Sequence, residues 1–396
     1  MKSDWCTTGR ARLMGCSRGC LPFCFRRAIP AAAVLAVFAA RLPGLVAART
    51  ADVAPTPVHR AFRVRFLAPP GTKASVGFSM SGNDFVVAGL PGGHKLLGWA
   101  YALRPDGTWI RLRRASGDVS TTPCGADHWA VVGSGSIVGN GSGALLWLRP
   151  FDRAPIQLAP PRSLFSEALG VHGNHEVGFV IESPWPSPTR NPLGPRLAAA
   201  WAGSAASYVN LNPPGYLSSV VSGTNGRFLV GWGRKAGKPN CALLWRSIGR
   251  NGTVLNCGPG FDGGKALAIS SGGTIVGFGR VAKRLPRALM WTSPTKRAVD
   301  ITPLGYRTSQ CTYAAGRYLV GWASVGKTGG MPRAVLWLKS GRHFVDLQAL
   351  LTAGYDTSCA WSVDRNGDVV GAARKQSTGL DVAVEWMPLH RASRTK

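Results

Sequence analysis

Residues 266–302 read ALAISSGGTIVGFGRVAKRLPRALMWTSPTKRAVDIT. Four runs of five or six residues in this stretch are rich in β-branched and aromatic residues, which is typical of short strands. These runs are 266–270, 274–279, 287–292 and 298–302. Between the first two runs, Ser271-Gly272-Gly273 supplies the backbone freedom that a tight hairpin needs. The stretch therefore predicts a four-stranded antiparallel meander.

The same pattern returns every 39 to 54 residues along the chain. One member is a hydrophobic step that ends in glycine, at Gly89, Gly139, Gly178, Gly231, Gly277, Gly321 and Gly371. The other is Ala-x-x-Trp, with its indole at Trp147, Trp201, Trp245, Trp291, Trp337 and Trp386. Units this small cannot bury their own apolar faces, so they stabilise one another in a ring or an array. We therefore predict an all-β propeller of four-stranded blades, with the Trp side chains packed between blades.

The ends of the repeat region indicate how such a ring closes. The last repeat ends on a third-strand motif at 383–386, and an isolated strand at 62–67 has no first three strands before it. Together these segments complete one blade. The glycine steps predict seven blades closed by the N-terminal strand. Six or eight blades remain alternatives, because the first unit at 86–110 carries Leu103 where the repeat has Trp.

The repeat resembles a known family. A glycine hairpin, Val-Gly, a variable loop, Ala-x-x-Trp and a polar residue before Leu or Ile are similar to the HAF repeat of bacterial "probable extracellular repeat" proteins. The polar element here is Gln157-Leu158, Asn210-Leu211, Asp300-Ile301 and Asp346-Leu347. The resemblance covers roughly residues 64–387. It implies export and a propeller-like fold, and it brings no catalytic residues with it.

The N-terminus is typical of an export signal. Basic residues precede an apolar run at 28–40, and Val46-Ala47-Ala48 offers small side chains for cleavage. We predict a signal peptide at 1–48, a short linker at 49–61, one propeller domain at 62–387 and a basic tail at 388–396. The protein would then be a monomer that is secreted, periplasmic or at the cell surface, with no transmembrane domain beyond the signal segment. An uncleaved N-terminal anchor is the alternative.

Four of the nine cysteines lie in the predicted leader. Cys241 and Cys257 flank a strand-turn-strand, so in an oxidising compartment they are the predicted disulfide. For Cys311 and Cys359, a second bridge and buried free thiols remain alternatives. The cysteine spacings match no zinc pattern, and we predict neither a metal nor a cofactor.

Charge is the strongest functional signal in the chain. Lys and Arg total 47 against 18 Asp and Glu, and residues 1–48 hold only seven of the 47. In a propeller, the connections between second and third strands share a face with the blade-to-blade connections, and four of the former are basic without an acid. Such a face attracts polyanions. The candidate binding residues are Arg234, Lys235, Lys238, Arg280, Lys283, Arg284, Arg287, Arg307, Lys327, Arg333, Arg374 and Lys375. A diffuse basic surface is the alternative.

These observations predict an exported, non-enzymatic propeller that binds lipopolysaccharide, acidic polysaccharide or extracellular DNA. A structural or adhesive propeller with a protein partner is one alternative. A lyase or hydrolase acting across the central depression is another, against which the scarcity of Asp and Glu argues, because propeller enzymes of these classes use paired carboxylates or a metal. The chain has no Gly-x-Ser-x-Gly elbow, phosphate loop or dinucleotide fingerprint.

Overall fold

A computed structural model describes residues 56–58, 61–82, 85–89, 98–137, 141–161, 163–182, 194–281, 285–325, 330–338 and 341–389. Within these ranges the chain is all-β, with no α-helix and two single 3₁₀ turns at Ala205–Ser207 and Gln348–Leu350. The predicted signal peptide lies outside the described residues, as do most of the predicted linker and tail. A search of these ranges for a helix long and apolar enough to cross a membrane finds none.

The strands are short and follow one another through turns. The first fourteen are β1 Thr56–Pro57, β2 Phe62–Leu67, β3 Val76–Ser81, β4 Phe85–Gly89, β5 Ala100–Leu103, β6 Trp109–Arg111, β7 Ser120–Ala126, β8 Ala130–Ile137, β9 Gly141–Leu148, β10 Ile156–Gln157, β11 Phe165–His172, β12 His175–Ile181, β13 Leu197–Trp201 and β14 Val209–Asn210. The others are β15 Ser218–Thr224, β16 Leu229–Arg234, β17 Cys241–Trp245, β18 Thr253–Val254, β19 Gly264–Ile269, β20 Ile275–Val281, β21 Leu285–Trp291, β22 Val299–Asp300, β23 Thr308–Ala315, β24 Tyr318–Ser324, β25 Arg333–Leu338, β26 His343–Asp346, β27 Tyr355–Val363, β28 Val369–Lys375 and β29 Asp381–Pro388.

From β3 onward, the strands pair in antiparallel sets of four. Sets 1 to 6 are β3–β6, β7–β10, β11–β14, β15–β18, β19–β22 and β23–β26, and set 7 is β27–β29 completed by β2. The N-terminal strand therefore pairs with the last strand, as predicted, along the register from Phe62–Pro388 to Leu67–Ala383. A single bridge between Ser142 and Phe165 joins sets 2 and 3, and β1 adds a parallel strand to set 6.

Every set carries a β-bulge where its first strand pairs with its second. The extra residue of each bulge turns toward one shared cavity of about 150 Å³, on which the first strands converge. The residues that line it in this way are Phe78, Cys124, Leu169, Ser222, Leu267, Thr312 and Trp361. The repeat thus places one side chain from each set on a common axis.

The repeated glycine is required by a close approach of two backbones. On the second strand, a Cβ at this position would overlap the backbone carbonyl oxygen of the first strand. The glycines concerned are Gly133, Gly178, Gly231, Gly277, Gly321 and Gly371. Their carbonyl partners, which we call the glycine-facing residues, are Thr122, Glu167, Val220, Lys265, Gln310 and Cys359. In set 2 Gly133 holds the place expected for Gly139, which lies outside the described residues.

The Ala-x-x-Trp motif joins neighbouring sets, as expected of side chains packed between blades. The six Trp residues are at most 1% exposed. In five of them the indole N–H donates to a backbone carbonyl of the preceding set or its connection, as Trp337 does to Ile301 at 2.7 Å. In five of the six motifs the first residue donates its backbone N–H to a serine hydroxyl on the adjoining set, as Ala288 does to Ser309 at 2.9 Å.

The predicted disulfide between Cys241 and Cys257 is absent, and both are free thiols. The β17–β18 register, in which Leu243 faces Val254, places residue 256 opposite Cys241 and turns Cys257 to the other side. The Cys241 thiol lies 3.4 Å from the carbonyl oxygen of Gly233. Cys257 packs against Gly264. The two thiols are therefore unbonded, although they are close enough for Cys241 to contribute to the raised pKa of Cys257.

Replacement of Gly321 by Ala tests the backbone approach. The added methyl group would overlap the Gln310 carbonyl, which is held in the sheet and cannot move away. We expect Gly321→Ala to lower the free energy of unfolding by about 3 kcal/mol or more. Urea unfolding measures this, with Gly272→Ala as the control, because a Cβ there meets only the Ser270 hydroxyl at 3.9 Å. Equal stabilities of the two variants would contradict the packing argument.

Candidate functional site

The twelve predicted cations do not form one uniform ring. Lys283, Arg284 and Lys327 lie outside the described residues. Arg287 and Arg333 pair with carboxylates of their own sets: Arg287 Nε lies 2.6 Å from Asp300 Oδ2, and Arg333 Nη2 lies 2.7 Å from Asp346 Oδ2. These acids are 13 residues away in sequence, and the antiparallel third and fourth strands bring them diagonally across from the arginines, opposite Leu289 and Val335. A search for acids within the connections alone therefore misses them.

Other predicted cations are dispersed over the same face. The exposed group is Lys235, Lys238, Arg307 and Lys375. Arg374 is paired in register with Asp381 at the β28–β29 edge. Burial raises the pKa of Asp381 to about 6, while Arg374 lowers that pKa and the carboxylate of Asp356 raises it. Two carboxylates thus lie close to Arg374, outside the basic connections to which the prediction refers.

The remaining two, Arg234 and Arg280, act on an amine that the sequence analysis did not single out. Lys265 is the second residue of β19, and its Nζ lies 3.8 Å from the centroid of the Trp232 ring. The positive charges of Arg196, Arg280 and Arg234 all act on this amine. We call these five residues the Lys265 cluster. It draws on three successive sets, because Arg196 precedes β13, Arg234 ends β16 and Arg280 lies in β20.

Strand register explains how Lys265 reaches this place. It is a glycine-facing residue, paired with Phe278 as Val220 is paired with Trp232 and Gln310 with Trp322. Val220 and Gln310 are buried between sets at 2% and 3% exposure. Lys265 therefore extends along the same seam, where its Nζ lies over the Trp232 ring and the residue as a whole is half-buried.

The residue before Lys265 also departs from the repeat. Sets 4, 6 and 7 have Ser219, Ser309 and Ser358 at this position, and each hydroxyl accepts a backbone N–H from the preceding set. Set 5 has Gly264, whose missing side chain leaves room for the thiol of Cys257. Two adjacent departures from the repeat thus coincide at the Lys265 cluster.

The environment of Lys265 favours its neutral form. Burial, as the largest cause, and the positive charges of Arg196, Arg280 and Arg234 together lower the pKa of the ammonium group to about 7. At neutral pH a large fraction of the amine is therefore unprotonated, and it carries a lone pair beside three cations. A neutral lysine amine among cations is a general base or a nucleophile, and the guanidinium groups can hold an anion.

The axial cavity is separate from the Lys265 cluster. In its wall the thiol of Cys124 donates to Glu167 Oε1 at 3.3 Å, and Glu167 is fully buried. Hydrogen bonds also join the hairpin turns that connect first and second strands of different sets: Asn225 Nδ2 donates to the Ser270 carbonyl, and Arg365 Nη2 donates to the Ser271 hydroxyl. Among the residues that the structure describes, no group of three His, Cys, Asp or Glu could hold a metal ion.

No protein-family model matches this chain, and no curated protein matches it. The resemblance to HAF-repeat proteins therefore stays a prediction, as do export and localisation. Solved structures do match. A puromycin hydrolase mutant complexed with PGG aligns with a TM-score of 0.53 and 13% identity, over 83% of this chain and 56% of the hydrolase. A prolyl endopeptidase aligns with a TM-score of 0.51 and 9% identity, over 80% of this chain and 50% of the other.

The β-propeller domain of the Trilobed protease from Pyrococcus furiosus also matches, with a TM-score of 0.47 and 9% identity, over 79% of this chain and 96% of that domain. The predicted all-β fold of the propeller type is confirmed. The chain spans about half the length of the two hydrolases. The predicted function, an exported module that binds anionic polymers, is contradicted, since the matching structures include peptidases, whereas the expectation that the chain is not an enzyme stays a prediction. At these identities, the likeness itself is one of fold.

Stability as a function of pH tests the environment of Lys265. Its pKa is about 7 in the folded protein and 10.5 when unperturbed, so between these values the unfolded chain binds more protons. The free energy of unfolding therefore rises with pH in this window, by an amount on the order of a few kcal/mol. We expect the difference between wild type and Lys265→Met to follow this rise. Urea unfolding at several pH values measures it, and a difference independent of pH would contradict the burial of the amine.

Proposed function

We propose that this protein is a propeller-fold, hydrolase-like enzyme that acts on small acidic substrates at the Lys265 cluster. The observation that carries the proposal is the Lys265 amine, held against Trp232 among three arginines from three sets. An ionisable group whose pKa is strongly altered by burial and by specific charged neighbours is typical of catalytic sites. The matching hydrolases agree in fold, and the chemistry is argued from this chain's own residues.

Lys265 would act as a general base. Its neutral amine takes a proton from a water molecule, and the resulting hydroxide forms a bond to the carbonyl carbon of an ester or amide. The arginines stabilise the negative charge that develops on the carbonyl oxygen. The C–O or C–N bond then breaks, and the ammonium of Lys265 returns the proton to the leaving group. The amine is thereby regenerated, and no other reactant than water is consumed.

The arginines also select the substrate. Three guanidinium groups around one amine exceed what a single developing oxyanion requires, and guanidinium groups bind carboxylates in a bidentate manner. Arg196 stacks on Phe179 at 4.7 Å from the ring centroid, which orients its planar group. We infer that the substrate carries a carboxylate close to the scissile carbonyl.

Hydrolysis of a matched pair of chromogenic amides tests this function. Acetyl-glutamate and acetyl-glutamine 4-nitroanilides differ only in the charge of the side chain, and release of 4-nitroaniline is followed by absorbance. We expect turnover of the glutamate compound to exceed that of the glutamine compound. Its kcat/KM should rise with pH as the amine deprotonates, and level off above pH 7, near the pKa of Lys265.

Variants separate the roles in the same assay. Lys265→Met should lower kcat at least about 100-fold, the usual contribution of a general base. Arg280→Gln should raise KM for the glutamate compound more than it lowers kcat. Lys238→Met, an exposed lysine outside the cluster, is the matched control and should match the wild type. Equal rates in wild type and Lys265→Met, or no turnover of either compound by the wild type, would contradict the proposal.

We further propose that the seven sets form a closed ring of seven blades. Three contacts between sets 7 and 1 support closure: Ala383 donates its N–H to Ser75 Oγ at 2.9 Å, Ser75 donates its N–H to the Asp381 carbonyl, and Val370 packs on Gly77. These repeat the contacts between the other sets. A crystal structure tests the proposal, because the first and last sets either adjoin around one axis or leave a gap.

A further inference from the structure

The axial cavity has the features of a binding site for a small molecule. It measures about 150 Å³, and every set contributes the bulge residue of its first strand to the wall. Each of these seven residues is half-buried, although the residue before it on the strand is buried. The sets therefore each present one accessible side chain to the axis. We propose that the cavity binds a single-ring aromatic molecule that carries one hydroxyl group.

Most of the wall is apolar. Four of the seven bulge residues carry large apolar side chains: Phe78, Leu169, Leu267 and Trp361. A ligand that covers them removes apolar surface from water, which is the main source of affinity in pockets of this kind. Phe78 and Trp361 belong to sets 1 and 7, which adjoin through the hydrogen bond from the Ala383 N–H to Ser75 Oγ. Neighbouring aromatic side chains favour an aromatic ligand, which they contact edge-to-face or in an offset stack.

The three polar bulge residues determine where the ligand hydroxyl binds. The Thr312 hydroxyl lies 2.8 Å from the carbonyl oxygen of Ala360, so it already serves the backbone. The Cys124 thiol donates to Glu167 Oε1. Ser222 is half-buried, and within the described ranges its hydroxyl has no hydrogen-bond partner. Because a serine hydroxyl both donates and accepts, that of Ser222 can pair with the hydroxyl of a ligand.

Volume and charge limit the ligand further. An apolar cavity of about 150 Å³ holds one benzene-sized ring. Among the described residues, none that lines the cavity is Lys, Arg, Asp or Glu, so the wall favours a neutral molecule. Lys265 does not line the cavity, and the arginines of its cluster do not either. Binding on the axis is therefore independent of the proposed hydrolysis of acidic substrates.

Saturation-transfer NMR with phenol and benzene tests the site in the whole protein. We expect both compounds to bind the wild type. Ser222→Ala should weaken phenol binding several-fold and leave benzene binding unchanged, because only phenol loses a hydrogen bond. Absence of phenol binding to the wild type, or an equal effect of Ser222→Ala on both compounds, would overturn the proposal.

Filling the cavity supplies a second test. Leu169→Trp adds an indole to the wall, and the equivalent bulge position of set 7 already carries Trp361, so the architecture accepts this side chain. We expect Leu169→Trp to abolish the binding of both compounds. Leu304→Trp is the matched control, because Leu304 is 62% exposed and lies in the connection after β22. Unchanged binding in Leu169→Trp would place the ligand elsewhere and contradict the assignment.

A third measurement on the wild type removes any dependence on how the variants fold. Cys124 lines the cavity, whereas Cys241 begins the third strand of set 4 and does not line it. We expect saturating phenol to slow the alkylation of Cys124 by iodoacetamide several-fold and to leave that of Cys241 unchanged, as peptide mass spectrometry measures. Equal rates at Cys124 with and without phenol would refute binding on the axis. Because no readout involves turnover, failure here and failure of the hydrolysis assay are distinguishable.

Discussion

The close approach of two backbones at the repeated glycine is the constraint on which the rest of the structure depends. Where Gly321 lies against the Gln310 carbonyl, no side chain fits, and the first strand continues into a bulge immediately afterwards. The bulge turns Thr312 toward the axis. In the five other sets that carry this glycine, the same geometry fixes which residue faces the cavity and which lies in the seam between sets. The position of Lys265 in a seam is a consequence of this register.

Hydrogen bonds to backbone groups connect the sets. A buried N–H or C=O left without a partner costs about 1–3 kcal/mol. Each tryptophan or serine side chain that bonds to a backbone group of a neighbouring set therefore makes the stability of that set depend on its neighbour. Trp245 and Trp291 each donate to the preceding unit in this way. Trp201 is an exception, since its buried indole N–H has no partner among the described residues. It contacts Tyr208 at a ring-centroid distance of 6.2 Å instead.

The fold was predictable because its signals are local and recur: the glycine step, Ala-x-x-Trp and the pairing of β2 with β29 all follow from short motifs. The site was not, because its chemistry depends on strand register. Arg287 meets Asp300 across two antiparallel strands, and Cys257 turns away from Cys241 for the same reason. Lys265 lies on the first strand of set 5, whereas the sequence analysis considered only the basic connections between strands. Once the register is known, Lys265 aligns with Val220 and Gln310, and its positive charge distinguishes it from both.

In a repeat protein, equivalent positions serve as internal controls. Val220 and Gln310 show that the seam accepts a side chain that carries no charge, so the architecture of set 5 does not require a lysine. Placing an ammonium there, beside three arginines, opposes folding at neutral pH by an amount on the order of a few kcal/mol. Gly264 adds a second departure, since the serine hydroxyl that joins other sets is missing there. Departures that weaken a fold at one point of a regular array are typical of functional sites, and here two of them are adjacent in sequence, at Gly264 and Lys265.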